Sequence, residues 1–415
     1  MCTFAPNFND LQSTKIFNDP VYGFISVNDE VILQLIDHPY FQRLRRIGQT
    51  GLSYLVYPGA KHTRYHHALG AMHLMQRAIR TLREKGSVIS NEEYRAAQIA
   101  ILLHDIGHGP FSHTLENTLI ENYSHEQISV EIMQILNQEM HGKLDEAIAI
   151  FQNEHPKKYL HKLVSGQLDV DRLDYLMRDS FFTGVAEGVI GSKRIIKMMR
   201  EVNNELVVEE KGIYSIEKFL IARRLMYWQV YLHKTVLGAE TILVKILKRA
   251  KYLALQGEDL FGTSSLRRFL YEHKQAFTSN DEKIKTFTLL DDADVISAIK
   301  EWQFHSDFIL SNLCQRLLNR NLFKVKLQKD PFEMDTIENL KDKISTKYPI
   351  SLQDVEYFIN QGVVSNKAYD AGKDEIKFVL KNEQIKTIFE VSEHLDVENM
   401  TKRIEKNYIC YPKDL

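Results

Sequence analysis

Cysteine is scarce in this chain of 415 residues. There are three, Cys2, Cys314 and Cys410, far apart and with no CxxC pair. That excludes a disulfide scaffold and a thiolate zinc site, and it fits a reducing, cytoplasmic setting. Neither sign of charge is in surplus. Lys and Arg number 53 against 55 Asp and Glu, a formal net charge of -2. Bulk nucleic-acid binding therefore has no electrostatic footprint, and no nucleic-acid partner is expected. Long apolar runs are missing too: none approaches the roughly 18 residues that a membrane span needs, so no membrane partner is expected. The opening Met1 to Asn7 has neither a basic region nor an apolar core, so no signal peptide is expected. There is no internal repeat and no low-complexity linker. The length suggests about two to three domains, or one large helical domain with an appendage.

What is present centres on Ile99 to His113, an apolar run that ends in His104, Asp105, His108 and His113 and is stopped by Gly109-Pro110. Tyr94 to Leu103 reads as a buried helix. Burying imidazole and carboxylate groups without partners is costly, so their clustering calls for something to satisfy them. A divalent metal would do so, since neutral imidazole and carboxylate are good ligands for one. His104 and His108 are four apart, which would put them on one helix face.

The rest of the chain reads as mainly α. Ser13 to Val27 is turn-rich, with short strands or loop. Asp37-His38-Pro39 opens a helix to about residue 48, with a polar cap and a proline in the first turn. Another helix runs from about Arg64 to Lys85. Ser124 with Gln127 forms a capping box, which places His125 in the first turn of a helix. Leu168 to Phe182 carries Asp171, Tyr175 and Asp179 at four-residue steps. Leu206 to Val208 and Ile213-Tyr214, flanking Lys211-Gly212, suggest a β-hairpin. A long helix is expected from about Ile216 to Leu255, and more helix from 280 to 321. Beyond residue 330, strand-like Ile376 to Leu380 and Tyr408 to Tyr411 suggest a small α/β appendage. The expected division is 1–330 for the helical core and 331–415 for the appendage.

Three constellations carry chemistry. His67 (or its neighbour His66), His104, Asp105 and Asp171 could close around one divalent ion, leaving positions open for water and phosphate. The competing reading is a set of hydrogen-bonded polar core groups. His108, His113, Glu116 and His125 could supply the proton donor that a phosphoryl transfer needs, with a carboxylate orienting the ring; helix caps and surface histidines are the alternative. Arg223, Tyr227, Tyr231 and Lys234 step along one helix face and could hold phosphates and stack on a sugar or base. An ordinary amphipathic face is the alternative. Arg64 and Arg172 stand beside the presumed ligands and become phosphate candidates.

These motifs, together with Asn18-Asp19-Pro20, the stretch from Asp37 to Arg45, Tyr57 to Ala60, His67 to Gly70, Asp169 to Asp179, Tyr231 to Lys234 and Arg320 to Lys324, resemble the HD-domain metal-dependent phosphohydrolases. Within them, the chain is similar to the deoxynucleoside triphosphate triphosphohydrolases of the sterile-alpha-motif and HD-domain branch, without a counterpart of the sterile-alpha-motif domain. The resemblance implies an HD-domain helical core with a β-hairpin insertion and a small C-terminal α/β appendage. It selects His67 over His66 and makes His67, His104, Asp105 and Asp171 the ligands of one divalent ion, Mg, Mn, Fe, Zn or Ni. It implies catalytic roles for His108, His113 and His125, with Glu116 where the family carries aspartate. It implies substrate contacts for Gln49, Arg64, Arg172, Tyr175, Asp179, Arg223, Tyr231 and Lys234, Tyr231 crowding the sugar 2′ position. Thr50 follows Gln49, where a leucine in the family also crowds the sugar. A guanine-nucleotide activator site is implied at Lys15, Ile16, Asn18, Asp37, Gln42 and Arg45, with Arg320 and Lys324, in a homo-oligomer, dimer or tetramer. The implied reaction converts a deoxynucleoside triphosphate to deoxynucleoside and inorganic triphosphate. The alternative is an HD phosphohydrolase acting on a nucleoside monophosphate or a signalling nucleotide. A further alternative is a non-enzymatic nucleotide-sensing or nucleic-acid-binding module that keeps the fold.

Overall fold

A computed structural model describes residues 14–111, 114, 118, 124–271, 277, 279–367, 369–370, 374–396 and 400–415. His113 and Glu116, and Ser112 as a helix cap, lie outside the described residues. Strands β1 (Lys15–Asp19) and β2 (Gly23–Val27) form an antiparallel hairpin. Helix α1 (Glu30–Asp37) follows, its first turn capped by the Asp29 carboxylate, which accepts from the Ile32 N–H. Helix α2 (Pro39–Gln42) is one turn, continued by a tighter turn over Arg43–Arg46, so the helix expected to residue 48 stops early. The cause is Arg43, whose buried guanidinium turns inward and donates to the carbonyls of Leu290 and Ile106. The cap is His38 Nδ1, accepting from the Tyr40 N–H, and Asp37 instead pairs with Lys15 at 3.0 Å.

The site-bearing core is built from α3 (Arg64–Glu84) and α4 (Asn91–Leu103), followed by α5 (His125–Glu139), α6 (Asp145–Phe151), α7 (Lys158–Val164) and α8 (Val170–Thr183). The capping boxes Ser90–Glu93 and Ser124–Gln127 start α4 and α5. Helix α3 packs against both α4 and α8. Gly70 makes that approach possible: a Cβ there would fall on Arg178 Nη2 and Asp174 Oδ1, well inside contact distance. Gly107 plays the same part for α5, because its Cβ would overlap the His125 carbonyl and the Ser129 amide.

After α9 (Ser192–Met198), strands β3 (Met199–Val202) and β4 (Glu205–Glu209) form the hairpin. Its turn is Asn203-Asn204, both at positive φ (52° and 67°), and not Lys211-Gly212. Asparagine tolerates that backbone region, which two-residue hairpin turns require. Lys211-Gly212 instead leads into α10 (Ile213–Met226), where a Cβ on Gly212 would meet Val208 Cγ1 at 2.6 Å. The long helix expected to Leu255 is broken. A wider turn spans Tyr227–Tyr231, and α11 (Lys234–Leu255) restarts with His233 Nδ1 accepting from the Thr235 N–H. The break widens the backbone where the aromatic residues project.

Helices α12 (Ser264–Leu270), α13 (Asn280–Phe287), α14 (Asp292–Trp302) and α15 (Phe308–Leu318) complete the helical part. Then come β5 (Lys324–Gln328), α16 (Met334–Lys347), β6 (Asn360–Asn366), β7 (Lys377–Val379), β8 (Ile385–Thr387), α17 (Ile388–Val391) and β9 (Ile404–Tyr411). Strands β5, β9 and β6 form one antiparallel sheet. Strand β7 adds to β4 in parallel and pairs with β8 on its other side, so the C-terminal strands cover an edge of the hairpin. One continuous hydrophobic cluster runs from Ile25 to Tyr411. The fold is mainly α, and among the described residues no helix is long and apolar enough to cross a membrane.

Gly70→Ala should lower stability by about 3 kcal/mol, because it forces apart a buried ion pair at a close helix crossing. Denaturant unfolding measures this; a loss below about 1 kcal/mol, ordinary for a helix substitution, would contradict the packing account.

Candidate active site

The centre of the site is two buried rings. His67 sits one turn into α3, and its Nδ1 lies 2.8 Å from Asp174 Oδ2. His104 closes α4, and its Nδ1 lies 2.6 Å from the Ile101 carbonyl. A carboxylate and a carbonyl only accept, so each Nδ1 carries the proton and donates. Each Nε2 therefore offers a lone pair in the neutral ring. Both Nε2 atoms are buried and lack a hydrogen-bond partner among the described residues. They face the same carboxylates. His67 Nε2 is 3.0 Å from Asp171 Oδ1 and 3.9 Å from Asp105 Oδ2; His104 Nε2 is 3.5 Å from Asp171 Oδ1 and 3.4 Å from Asp105 Oδ1. Ligand atoms of His67, His104 and Asp171 lie within 4.8 Å of one another, a set that could hold a metal ion. The donor set and the two orphaned nitrogens fit a divalent cation.

The electrostatics agree. Burial pushes the His67 ring towards neutrality, yet the close carboxylates of Asp171 and Asp174 outweigh it and raise its pKa to about 10. His104 is raised too, by Asp105 and Asp171 against burial. Burial alone would raise Asp171, but the two imidazoles hold it far below the usual carboxylate range. The cage demands positive charge, and a divalent ion competes for it with protons.

Among the described residues a second group, Glu93, Glu146 and His155, is also close enough to share an ion. There His155 Nδ1 accepts from the Lys157 N–H at 3.1 Å, so the proton sits on Nε2, 3.4 Å from Glu146 Oε1. Lys157 Nζ already neutralises Glu93 at 2.6 Å. That tautomer suits an ion-pair hub, not a metal.

A buried relay locks the first site. Asp174 accepts from Arg178 Nε at 2.9 Å and Nη2 at 3.1 Å, and Arg178 Nη1 donates to Asp19 at 2.8 Å. Nothing in the sequence analysis assigned Asp174, Arg178 or Asp19 a part here. The usable signal was Asp174 and Arg178 at four-residue spacing beside the ligand-bearing Asp171.

Asp105 and Asp171 reach the floor of a cleft of about 460 Å³, with Arg64, His108 and His125 beside them. Arg64 donates to Asp105. His108 is not on a helix with His104, because α4 ends at Leu103 and a turn follows; the chain must bend for Gly107 to dock on Ser129. His108 Nε2 is 3.3 Å from Asp105 Oδ1, and burial and Arg64 hold its pKa well below the ordinary value. The His125 ring stacks on it at 4.0 Å, nearly parallel. Gln49, Thr50, Tyr175, Asp179, Tyr227 and Tyr231 form the walls. Gln49 Oε1 and Thr50 Oγ1 are buried without hydrogen-bond partners among the described residues. Tyr231 donates to Asp179 Oδ2 at 2.6 Å, and His62 Nε2 holds Asp179 Oδ1 at 2.7 Å. Asp292, missed in the sequence, ties two rims together: it accepts from the N–H groups of Gly48 and Phe111 at 2.8 and 3.0 Å.

Arg172, Arg223 and Lys234 stand outside this lining. Arg172 pairs with Asp169, and Arg223 Nη1 donates to Gln167 at 3.4 Å. Lys15, Asp37, Gln42 and Arg45 form a connected surface group: Gln42 Nε2 donates to Ile36 O, and Arg45 Nε to Gln42 Oε1 at 2.9 Å. Ile16 and Asn18 lie on the same β1 as Lys15. Arg320 donates to the Leu55 carbonyl, and Lys324 is exposed at the start of β5; among the described residues no hydrogen bond or ion pair joins these two to the Lys15 group.

Residues 64–179 match the HD domain family, and residues 190–269 match the HD associated region. The uncharacterized protein YwfO of Bacillus subtilis is 32% identical over 98% of this chain and 94% of its own length. The crystal structure of a phosphohydrolase from Bacteroides thetaiotaomicron superimposes with a TM-score of 0.93 at 50% identity, covering 96% of this chain and all of that one. Human deoxynucleoside triphosphate triphosphohydrolase SAMHD1 is 27% identical over 88% of this chain and 64% of its own length. The fold and its paired imidazoles define a metal-dependent hydrolase. The chain belongs to the HD-domain phosphohydrolase family.

Asp174→Asn should weaken divalent-metal affinity by roughly 10–100-fold, since it replaces the charged acceptor that orients His67 with a weaker, neutral amide. Competition against a chelator measures it; unchanged affinity in a folded variant would show that the relay does not position the ring.

Proposed function

We propose that this hydrolase splits a deoxynucleoside triphosphate at the α-phosphorus, releasing deoxynucleoside and inorganic triphosphate. The observation that supports it best is the pair of bare imidazole nitrogens behind Asp105 and Asp171, at the foot of a cleft walled by Gln49, Tyr175 and Tyr231. A divalent ion held by His67, His104, Asp105 and Asp171 would supply Lewis acidity and a nucleophilic water. The remaining roles belong to the chain. Arg64 balances charge on the phosphate and on Asp105. His108, kept neutral by burial, donates one hydrogen bond to a phosphate oxygen. His125, at the mouth of the same wall, holds the proton that the departing 5′ oxygen takes, with His113 and Glu116 as its partners. The unmade acceptor of Gln49 suits the sugar 3′ hydroxyl. Tyr231, fixed by Asp179 and His62, presses on the 2′ side and disfavours a ribose. Arg172, Arg223 and Lys234 are assigned to the outer phosphates.

The same reading places a guanine-nucleotide activator at the Lys15, Asp37, Gln42 and Arg45 group, where a carboxylate can accept from guanine N1 and N2 and an arginine can donate to O6. Ile16, Asn18, Arg320 and Lys324 complete that assignment in a cytoplasmic homo-oligomer, dimer or tetramer, with an HD core over 1–330 and an appendage over 331–415. A second reading keeps the metal chemistry and changes the substrate to another nucleotide; the open cleft, with Arg172, Arg223 and Lys234 outside its lining, favours testing it.

Two measurements decide. Chromatography of the products should find deoxynucleoside and triphosphate in equal amounts; monophosphate with pyrophosphate, or orthophosphate, would overturn the α-phosphorus assignment. Asp37→Ala should abolish stimulation by a guanine nucleotide while leaving metal content unchanged; stimulation at the wild-type level would remove the activator assignment.

A further inference from the structure

Beside the cleft lies a second pocket of about 210 Å³, between α11 and the strands β6 and β9. Thr114 and Glu240 border both spaces, so the two adjoin. The lining carries two cations from α11, Lys245 and Lys248, three residues apart. Like charges at that spacing repel. Neither ammonium makes an ion pair or a hydrogen bond among the described residues. Lys245 is more than half buried. Its burial and the Lys248 charge both oppose its protonation, and only Glu356 and Cys410 act the other way. Across the pocket, Asn360 Nδ2 donates to the Tyr408 hydroxyl at 2.9 Å, which leaves that hydroxyl's own proton to point at a ligand. Glu240, on the shared rim, is the one carboxylate in the lining.

Lys245, a partly buried cation without an ion pair among the described residues, costs stability unless an anion meets it, and the exposed Lys248 adds a second positive charge beside it. We propose that this pocket is an anion subsite that takes a polyphosphate, held between Lys245, Lys248 and the Tyr408 hydroxyl. Lysine ammonium groups are compact point charges suited to phosphate oxygens of varied geometry. Glu240 keeps such an anion on the lysine side of the rim. The ligand chemistry could come from inorganic triphosphate or from the tail of a nucleotide. Naming inorganic triphosphate as the product that reaches the pocket rests on the proposed function; the subsite itself does not.

The test is calorimetric titration of inorganic triphosphate, in the presence of chelator, into full-length Asp171→Ala, in which the cleft floor is impaired. One site should persist there. Adding Lys245→Gln and Lys248→Gln should weaken it at least tenfold, and Lys248→Glu alone, at an exposed position, should weaken it as well. Raising salt should weaken it further. Absence of binding in Asp171→Ala, or binding that ignores all the lysine variants, would overturn the subsite. A parallel titration with a deoxynucleoside triphosphate separates the two sources: tighter binding than inorganic triphosphate, lost in the same variants, assigns the pocket to a nucleotide tail. Because binding is read directly, a failure of triphosphate-releasing activity leaves this result interpretable.

Discussion

Two imidazole rings are each committed at Nδ1, and everything near them follows from that. His67 Nδ1–H donates a hydrogen bond to Asp174, and His104 Nδ1–H donates one to the Ile101 carbonyl in the last turn of α4. Their Nε2 atoms are thereby turned, bare and dry, towards Asp105 and Asp171. Leaving such groups unsatisfied in a protein interior costs free energy, and four cation-seeking atoms in one place make a site that only positive charge relieves. His155 shows the contrast within the same molecule. Its Nδ1 accepts a backbone N–H, its proton is forced to the other nitrogen, and a neighbouring lysine supplies the charge its carboxylates want.

The helical scaffold serves that commitment. Helices α3 and α8 must approach closely enough for Asp174 to reach His67, and Gly70 supplies the missing side chain that allows it. Against the burial that disfavours its charge, Arg178 and the His67 ring keep Asp174 ionised, and Asp19 anchors Arg178, so the β1 hairpin contributes to the site through a chain of buried contacts. Gly107 does the equivalent for α5 and lays His125 on His108. Asp292 closes the arrangement from α14 by holding the backbone at Gly48, next to Gln49, and at Phe111.

Much of this was legible in the chain. An apolar helix ending in His104-Asp105 announces buried polar groups in need of a partner, and the capping box at Ser124 places His125 correctly. What was illegible depends on tertiary contact. The helix after Pro39 stops because Arg43 is drawn into the core by carbonyls far along the chain, which no local propensity shows. The hairpin turns at Asn203-Asn204 and not at Lys211-Gly212, because paired asparagines tolerate the positive φ that the turn requires. The break at Tyr227 has no proline or glycine to mark it, and Asp292 reaches Phe111 across 181 residues and Gly48 across 244, with no local signal.

The most direct test of the central claim is anomalous diffraction across metal absorption edges, from crystals grown with a divalent ion. The account predicts one peak per chain at about 2.0–2.2 Å from both His67 Nε2 and His104 Nε2. No peak there, or a peak held by Glu93, Glu146 and His155 instead, would contradict it.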